Sequence, residues 1–203
     1  MKTLLFKPFE KYSEKILLTA GIVFTIIGSL LGFWMNARFD GVLDLHFGKN
    51  VGLREPFFDN LINVFSLAIL LFFLAKYLNK KTRFIDILTT VMIARTPLYL
   101  LSLININGNM SEMAEQFLSI MNPEVTNSQN INIQEIMTVA MENGFLLAIF
   151  SILIILCVIW YIALLYNGFK TASHAKGTKA VVLFIVALLL AEILSKILIY
   201  NLY

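Results

Sequence analysis

The sequence predicts an all-α integral membrane protein in which the whole chain, residues 1–203, forms one bundle of five transmembrane helices. Of the 203 residues, 59% are hydrophobic and only 14% are charged, whereas soluble domains are about 45–50% apolar and about 25% charged. Five apolar runs are close to the roughly 20 residues that a helix needs to cross a bilayer. They cover residues 16–35, 57–77, 84–104, 144–169 and 180–200.

The distribution of lysine and arginine predicts how the five helices are oriented. Eleven of the 16 basic residues lie before the first run, between the second and third, or between the fourth and fifth. They are Lys2, Lys7, Lys11, Lys15, Lys76, Lys80, Lys81, Arg83, Lys170, Lys176 and Lys179. Short cytoplasmic loops are enriched in such residues. We therefore expect the amino terminus in the cytoplasm and the carboxyl terminus outside.

The long connection at residues 105–143 contains no basic residue and two stretches of helical periodicity. Pro123 and the polar residues 126–130 separate these stretches. The periodic apolar residues are Met113, Phe117, Ile120 and Met121, followed by Ile133, Ile136, Met137, Ala140 and Met141. Two interpretations remain open: two short amphipathic helices on the outer surface, or a partly ordered hairpin that caps the bundle.

Three ionisable side chains lie deep inside the runs. Such groups cost at least about 2.5 kcal/mol each on insertion scales, so they usually face the bundle interior and find partners. Counted from Phe84 and Val181, Arg95 and Glu192 each lie about 16 Å along their helices. Both helices run in the same direction, so we predict an Arg95–Glu192 ion pair. Lys196 follows Glu192 by four residues and either shares its carboxylate or extends to the surface.

The favoured role of these charges is structural, a buried pair that sets helix register. The alternatives are a proton or ion relay, and contact with lipid headgroups or a partner helix. Pro97 predicts a bend in the third helix, because it lacks an amide hydrogen and collides with the carbonyl of Ile93. Arg95 and Thr96 are placed to satisfy the freed backbone groups.

Motifs for catalysis and for metal binding are absent from the sequence. It contains no His-Glu-x-x-His, no glycine-rich phosphate loop and no serine elbow. His46 and His174 are expected on opposite sides of the membrane, and Cys157 is the single cysteine. We therefore expect a non-enzymatic protein without a cofactor or metal. The positions of the basic residues explain the net charge of +3, so no nucleic-acid partner is expected.

Two stretches resemble the Yip family of Ypt/Rab-interacting, five-span membrane proteins. KKTRFIDILTTVMIARTP, residues 80–97, resembles the family segment in which a polar turn leads into a span containing a small residue, any residue and proline. WYIALLYNGFKTASHAKGTKAVV, residues 160–182, resembles the later family signature around the fourth and fifth spans. The matching positions are Pro97, Trp160, Gly168, His174, Gly177, Lys179 and Ala180.

This resemblance implies a five-span fold over about residues 10–200 and a role in membrane traffic or organisation. Eukaryotic members of the family bind small GTPases through cytosolic amino-terminal regions. This chain has only about fifteen residues before its first run and lacks the Asp-Leu-x-Gly-Pro motif, so GTPase binding is not expected. Its brevity and its Asn, Ile and Lys usage resemble a bacterial member, located in the inner membrane. Arg95 departs from the family pattern, which has a small or apolar residue there.

Two functions follow from the sequence. The first is a membrane scaffold or interaction protein in membrane or envelope organisation or trafficking, whose partners are lipids, other membrane proteins or a second copy. The alternative is a small transporter or channel subunit, because interrupted helices with charges at mid-membrane depth are typical of transport sites. Against this alternative, no inverted repeat is visible in the five runs.

Overall fold

The structure is a computed structural model that describes residues 5–121 and 133–203. The helices in these ranges are α1 (Glu14–Trp34), α2 (Arg54–Leu78), α3 (Phe84–Ala94), α4 (Thr96–Leu101), α5 (Asn109–Met121), α6 (Ile133–Glu142), α7 (Gly144–Ser173) and α8 (Gly177–Tyr200). Short 3-10 turns occupy Pro8–Glu10 and Ser102–Asn105. The prediction of an all-α fold is confirmed for the described residues.

Five helical segments in the described ranges are long and apolar enough to cross a membrane. They are α1, α2, the combined segment Phe84–Asn105, α7 and α8. We call Phe84–Asn105 the third span. The predicted runs agree with these segments, but α7 continues to Ser173 and α8 already begins at Gly177. The turn between them is short because His174 and Gly177 adopt left-handed conformations, with φ of 53° and 81°.

The third span lies at the centre of the bundle. In an apolar 18-residue stretch of the third span, 72% of the residues are buried, whereas in the corresponding stretch of α7 only 6% are buried. It packs against α1, α2 and α7, whereas α8 packs chiefly against α2. Fully buried apolar side chains from these helices form the core. They include Leu67, Leu71, Ile87, Val91, Leu165, Phe169 and Ala191.

Small residues of α1 allow the third span and α2 to approach closely. A Cβ atom on Gly28 would lie 2.4 Å from the ring of Tyr99, and one on Gly32 would lie 2.8 Å from Pro56 of α2. Four residues separate these two glycines, so both lie on one face of α1. The spacing resembles the small-xxx-small arrangement by which membrane helices bring their backbones together.

The two ends of the bundle differ in their connections. One end, here called the basic end, carries the turns at residues 79–83 and 174–176. At the opposite end, residues 36–53 fold back between the helices, and we call them the re-entrant segment. Ala37–Arg38 pairs there with His46–Phe47 in a two-residue antiparallel ladder. Its Phe39 and Val42 side chains are fully buried.

The two short helices α5 and α6 pack against each other at the end of the re-entrant segment. Met110 and Met113 of α5 join Ala37 and Phe47 in a small apolar cluster, against which Phe150 of α7 packs. The structure therefore has features of both interpretations of residues 105–143. Two short helices form there, and together they cap the bundle. Pro123 and residues 126–130, predicted to separate them, lie outside the described residues.

Candidate functional site: a buried arginine beneath an ionic cleft

Arg95 occupies the break between α3 and α4, where the predicted bend lies. Its carbonyl oxygen accepts hydrogen bonds from the amides of Leu98 and Tyr99, at 3.0 and 3.3 Å. The hydroxyl of Thr96 donates to the carbonyl of Ile93 at 2.8 Å. That carbonyl is the one that Pro97 leaves without its helical donor, since proline has no amide hydrogen. The helix is thus interrupted just before Pro97, and the carbonyl of Ile93 accepts from the hydroxyl of Thr96 and from the amide of Arg95.

The guanidinium of Arg95 is fully buried and contacts neutral groups. Its Nη1 donates to the carbonyl of Val42 at 3.2 Å, and its Nη2 donates to Oδ1 of Asn60 at 3.3 Å. The rings of Phe39 and Tyr99 lie 5.8 and 5.9 Å from its Cζ, within range of cation–π attraction. Its Nε has no hydrogen-bond partner among the described residues.

Asn60 extends this contact to α1. Its side-chain amide donates to Oγ of Ser29 at 3.0 Å, and Ser29 in turn donates to the carbonyl of Thr25 at 3.0 Å. Of the groups that these hydrogen bonds connect, only Arg95 is charged. The hydrogen bonds therefore orient a buried cation, and they include no carboxylate that could take up and release a proton.

The predicted Arg95–Glu192 ion pair is wrong, since the two side chains make no ion pair among the described residues. Oε2 of Glu192 accepts instead from the amide of Leu43 at 2.7 Å. Val42 and Leu43 share one peptide group, whose carbonyl faces Arg95 and whose amide faces Glu192. The carboxylate packs closely there, because a Cβ on Gly41 would lie 2.5 Å from it.

Register and packing explain why the direct pair does not form. Because α8 begins at Gly177 and not at Val181, Glu192 lies about 22 Å along its helix, whereas Arg95 lies about 16 Å along the third span. That difference is about one helical turn. In addition, α8 packs chiefly on α2, and the re-entrant segment fills the space between the two charges.

Lys196 shares the carboxylate of Glu192, which is the first of the two positions that the sequence left open for it. Its Nζ lies 3.1 Å from Oε1 of Glu192. It also contacts Oδ2 of Asp44 in the re-entrant segment at 2.8 Å, a partner that the sequence did not predict. Lys196 thus connects α8 to the re-entrant segment on the side facing away from Arg95.

A polar cleft of about 640 Å³ opens above this region. Arg38 at its edge binds Asp59 of α2 through two hydrogen bonds, with Nε to Oδ2 at 2.6 Å and Nη2 to Oδ1 at 3.0 Å. Glu55 lies 3.4 Å from Nη1 of Arg38. Nδ1 of His46 pairs with Asp40, and the hydrogen bond to Asp40 raises the pKa of His46 above its ordinary value of 6.5. The two pairs of Arg38 attach the re-entrant segment to the start of α2, whereas the pair of His46 with Asp40 lies within the segment itself.

The positions that resemble the Yip family lie chiefly toward the basic end, away from Arg95. Gly168 packs on Thr90, since a Cβ on Gly168 would lie 2.4 Å from the Thr90 methyl. Nε1 of Trp160 donates to the carbonyl of Leu5 at 2.8 Å. Nζ of Lys179 lies 3.5 Å from the hydroxyl of Tyr77.

The other family-like positions serve the turn and the core. Ala180 is buried in the main core, and His174 and Gly177 form the left-handed positions of the last turn. Among all the matching positions, Pro97 is the one beside Arg95. The two sets of residues singled out by sequence are therefore brought to different parts of the bundle.

Several polar residues of the site were not predicted, although α2 contains a signal for them. Asp59, Asn60, Asn63 and Ser66 follow one another at helical spacing inside an apolar helix, and all four are buried. Nδ2 of Asn63 donates to the carbonyl of Phe39 at 2.6 Å, which anchors the re-entrant segment. A polar stripe on one face of a membrane helix indicates an interior contact, because polar groups at that depth need partners.

Among the described residues, the arrangement holds the guanidinium of Arg95 between the carbonyl of Val42 and the side chain of Asn60. Val91, one helical turn before Arg95 in the third span, is fully buried in the apolar core. The buried hydroxyl of Tyr161 lies within electrostatic range of Arg95. This geometry favours a structural role for Arg95 over a relay.

We compared the chain with protein-family models, with curated proteins and with solved structures. None of these comparisons finds a match.

Proposed function

We propose that the chain is a non-enzymatic integral membrane protein of the Yip type that works by packing against other membrane proteins or a second copy of itself. In this proposal it resides in a bacterial inner membrane, with the amino terminus in the cytoplasm and the carboxyl terminus outside. Its role is to organise the membrane or its proteins. The principal support comes from α7.

One half of α7 has large apolar side chains on all sides and few neighbours within the chain. Ile152, Ile155, Leu156 and Ile159 are each 57–60% exposed. The other peripheral spans have 28–39% of their most apolar window buried, against 6% for α7. Lipid covers apolar surface as well, but a span that contacts so little of its own chain has area available for a partner helix. Helix pairs in membranes associate through such packing.

The region around Arg95 also favours this proposal over a transport function. Transport sites need groups that a substrate can reach and leave. Arg95 is fully buried, and its hydrogen-bond acceptors are Val42 and Asn60. A buried cation in this position connects the third span, α2 and the re-entrant segment, which suits a rigid packing unit.

Native Cys157 allows the packing proposal to be tested, because it lies half-buried on the same part of α7. Membranes containing the full chain are treated with a short bifunctional maleimide, and the products are separated by denaturing electrophoresis. We expect cross-linked species with native Cys157 and with Ile152→Cys in a Cys157→Ser background. Cys157→Ser alone should give none.

Val186→Cys in the same background is the matched control, because Val186 is 46% exposed on α8, away from α7. It should give little cross-linking. Equal cross-linking from Val186→Cys would mean random collision and would contradict the proposal, as would no product from either α7 position.

The transporter alternative has one observation in its favour, the irregular re-entrant backbone buried among helices. Such backbone is found in membrane proteins where it is covered by protein or lines a cavity. A liposome flux assay on purified wild-type protein and Arg95→Ala decides between the two functions. Ion or proton flux that Arg95→Ala abolishes while the protein remains folded would support transport and contradict the scaffold.

A further inference from the structure

A polar cavity of about 350 Å³ lies at the basic end, remote from Arg95 and its cleft. It is half-open, and its walls come from the start of α1, the start of the third span and the end of α7. Thr89, Thr90 and Thr171 line it, beside Lys81 and Asp86. The family-like residues Gly168 and His174 complete the wall at α7.

An apolar groove of about 340 Å³ continues from this cavity between α1, α3 and α7. Tyr12 and Leu17 line both spaces, so the polar and apolar parts are adjacent. The groove extends along α1 as far as Phe24, about 10 Å beyond Leu17 at 1.5 Å per residue. Its other walls are apolar side chains that include Ile93 and Leu164. Together the two spaces are polar at the end of the bundle and apolar toward its middle.

The side chain of Thr89 lines the cavity. Thr89 is 3% exposed, and its Oγ1 has no hydrogen-bond partner among the described residues. The hydroxyl of Thr90, by contrast, donates to the carbonyl of Asp86 at 2.8 Å. A buried hydroxyl without a partner is unfavourable, so a ligand atom that bonded to it would offset that cost.

The charges around the cavity include both signs and balance. Arg83 binds Glu14 at 2.6 Å and Asp86 at 2.7 Å. Lys81 also lines the cavity, and its ammonium makes no ion pair among the described residues. Two carboxylates are thus matched by two cations, one of which is free to bind an anion. A headgroup that carries a phosphate and an ammonium fits this pattern, because the phosphate meets Lys81 and the hydroxyls while the ammonium meets the carboxylates.

From this geometry we propose that the protein binds a glycerophospholipid with a zwitterionic, primary-amine headgroup at its basic end. The phosphate bonds to Thr89 and Lys81, the ammonium lies near Glu14 and Asp86, and one acyl chain occupies the groove along α1. The inference is independent of the proposed scaffold function, because the lining of the cavity and groove includes none of the exposed residues of α7, Ile152, Ile155, Leu156 and Ile159, on which that function rests.

The test uses purified, delipidated full-length protein in detergent, with added phosphatidylethanolamine or phosphatidylglycerol of the same acyl chains. Binding is measured by native mass spectrometry and by the shift in unfolding temperature. We expect phosphatidylethanolamine at saturation to raise this temperature by about 5 °C or more, and phosphatidylglycerol to raise it less. Soluble glycerophosphoethanolamine and inorganic phosphate should have no comparable effect, because neither fills the groove.

Two variants address the two parts of the site. Thr89→Val removes the unpaired hydroxyl without changing volume, so the lipid-free protein should fold at least as well as wild type, while affinity for phosphatidylethanolamine falls about tenfold. Ala20→Phe fills the groove and should reduce the lipid-induced shift by at least half. Val186→Phe, which adds a ring on the exposed face of α8, is the control and should bind like wild type.

Three results would overturn the proposal. Phosphatidylglycerol could bind as tightly as phosphatidylethanolamine, which would indicate non-selective lipid contact. The soluble headgroup or phosphate alone could reproduce the full shift, which would indicate a solute site. Finally, Thr89→Val could retain wild-type affinity for phosphatidylethanolamine, which would mean that the lipid does not bind at Thr89. This variant tests the proposal even if Ala20→Phe does not fold.

Discussion

Arg95 and Glu192 form hydrogen bonds to opposite sides of a single peptide group, the one that joins Val42 to Leu43. Arg95 donates to its carbonyl at 3.2 Å, and its amide donates to Glu192 at 2.7 Å. A cation at the oxygen and a carboxylate at the amide both favour the polarity of the peptide group. The two charges therefore stabilise the re-entrant segment between them, and each has a hydrogen-bond partner without direct contact.

This arrangement predicts weak coupling between the two charges in a double-mutant cycle. Arg95→Met should lower the free energy of unfolding by about 3 kcal/mol, because it removes donors to Val42 and Asn60 inside the bundle. Glu192→Gln should cost less, since Gln keeps an acceptor for Leu43. The coupling energy should be about 1 kcal/mol or less, measured by denaturant titration in micelles. A coupling energy near 3 kcal/mol would mean that the two side chains form the direct pair after all.

The pair formed by His46 and Asp40 predicts a stability that depends on pH. The hydrogen bond to Asp40 raises the pKa of His46 in the folded protein. Its stabilising contribution is therefore complete below the unfolded value of 6.5 and is lost as the pH rises through the higher folded value.

The check is thermal unfolding between about pH 6 and pH 8.5. Wild type should lose stability over this range, and both His46→Gln and Asp40→Asn should flatten the loss. If His46→Gln retained the wild-type slope, another group would be responsible.

The close contact of α1 with the third span predicts a strong effect of one methyl group. Gly28→Ala should lower the free energy of unfolding by about 2 kcal/mol, because the new Cβ would lie 2.4 Å from the ring of buried Tyr99. Gly144→Ala is the matched control at a helix start with no heavy atom within 4 Å. It should leave stability unchanged or raise it by up to about 1 kcal/mol. Equal effects of the two changes would contradict this account of the contact.

The break beside Arg95 predicts that the hydroxyl of Thr96 matters more than its methyl group. Thr96→Val removes the donor to the carbonyl of Ile93 and should cost about 1 kcal/mol of stability. Thr96→Ser keeps the hydroxyl and should stay close to wild type. Chemical denaturation of the two variants side by side provides the measurement. Loss of stability in Thr96→Ser as large as in Thr96→Val would assign the effect to packing.

Local interactions explain which parts of this structure were predictable. The interruption at Pro97 and the contact of Thr96 with Ile93 involve residues within four positions of each other. The pairing of Lys196 with Glu192 likewise follows from the spacing of one helical turn. Such contacts are set by helix geometry, which residue spacing reveals directly.

The partner of Arg95 could not be predicted in this way. Val42 precedes it by 53 positions, and the group that binds is a main-chain carbonyl, which any residue type provides. Asp44 became a partner of Lys196 for the same reason, because the re-entrant segment folds back against α8. The polar face of α2 was visible as a pattern, but the pattern does not say which segment covers it.

The sequence by itself determined the five apolar helices, their approximate bounds, the interruption before Pro97 and the helical periodicity within the long connection at residues 105–143. Length and hydropathy decide these features, and both are properties of contiguous residues. The tertiary structure alone decided that residues 36–53 fold between the helices, that one of their peptide groups separates Arg95 from Glu192, and that a polar cavity meets an apolar groove at the basic end. These features depend on how distant segments pack, because only that packing decides which buried polar groups meet.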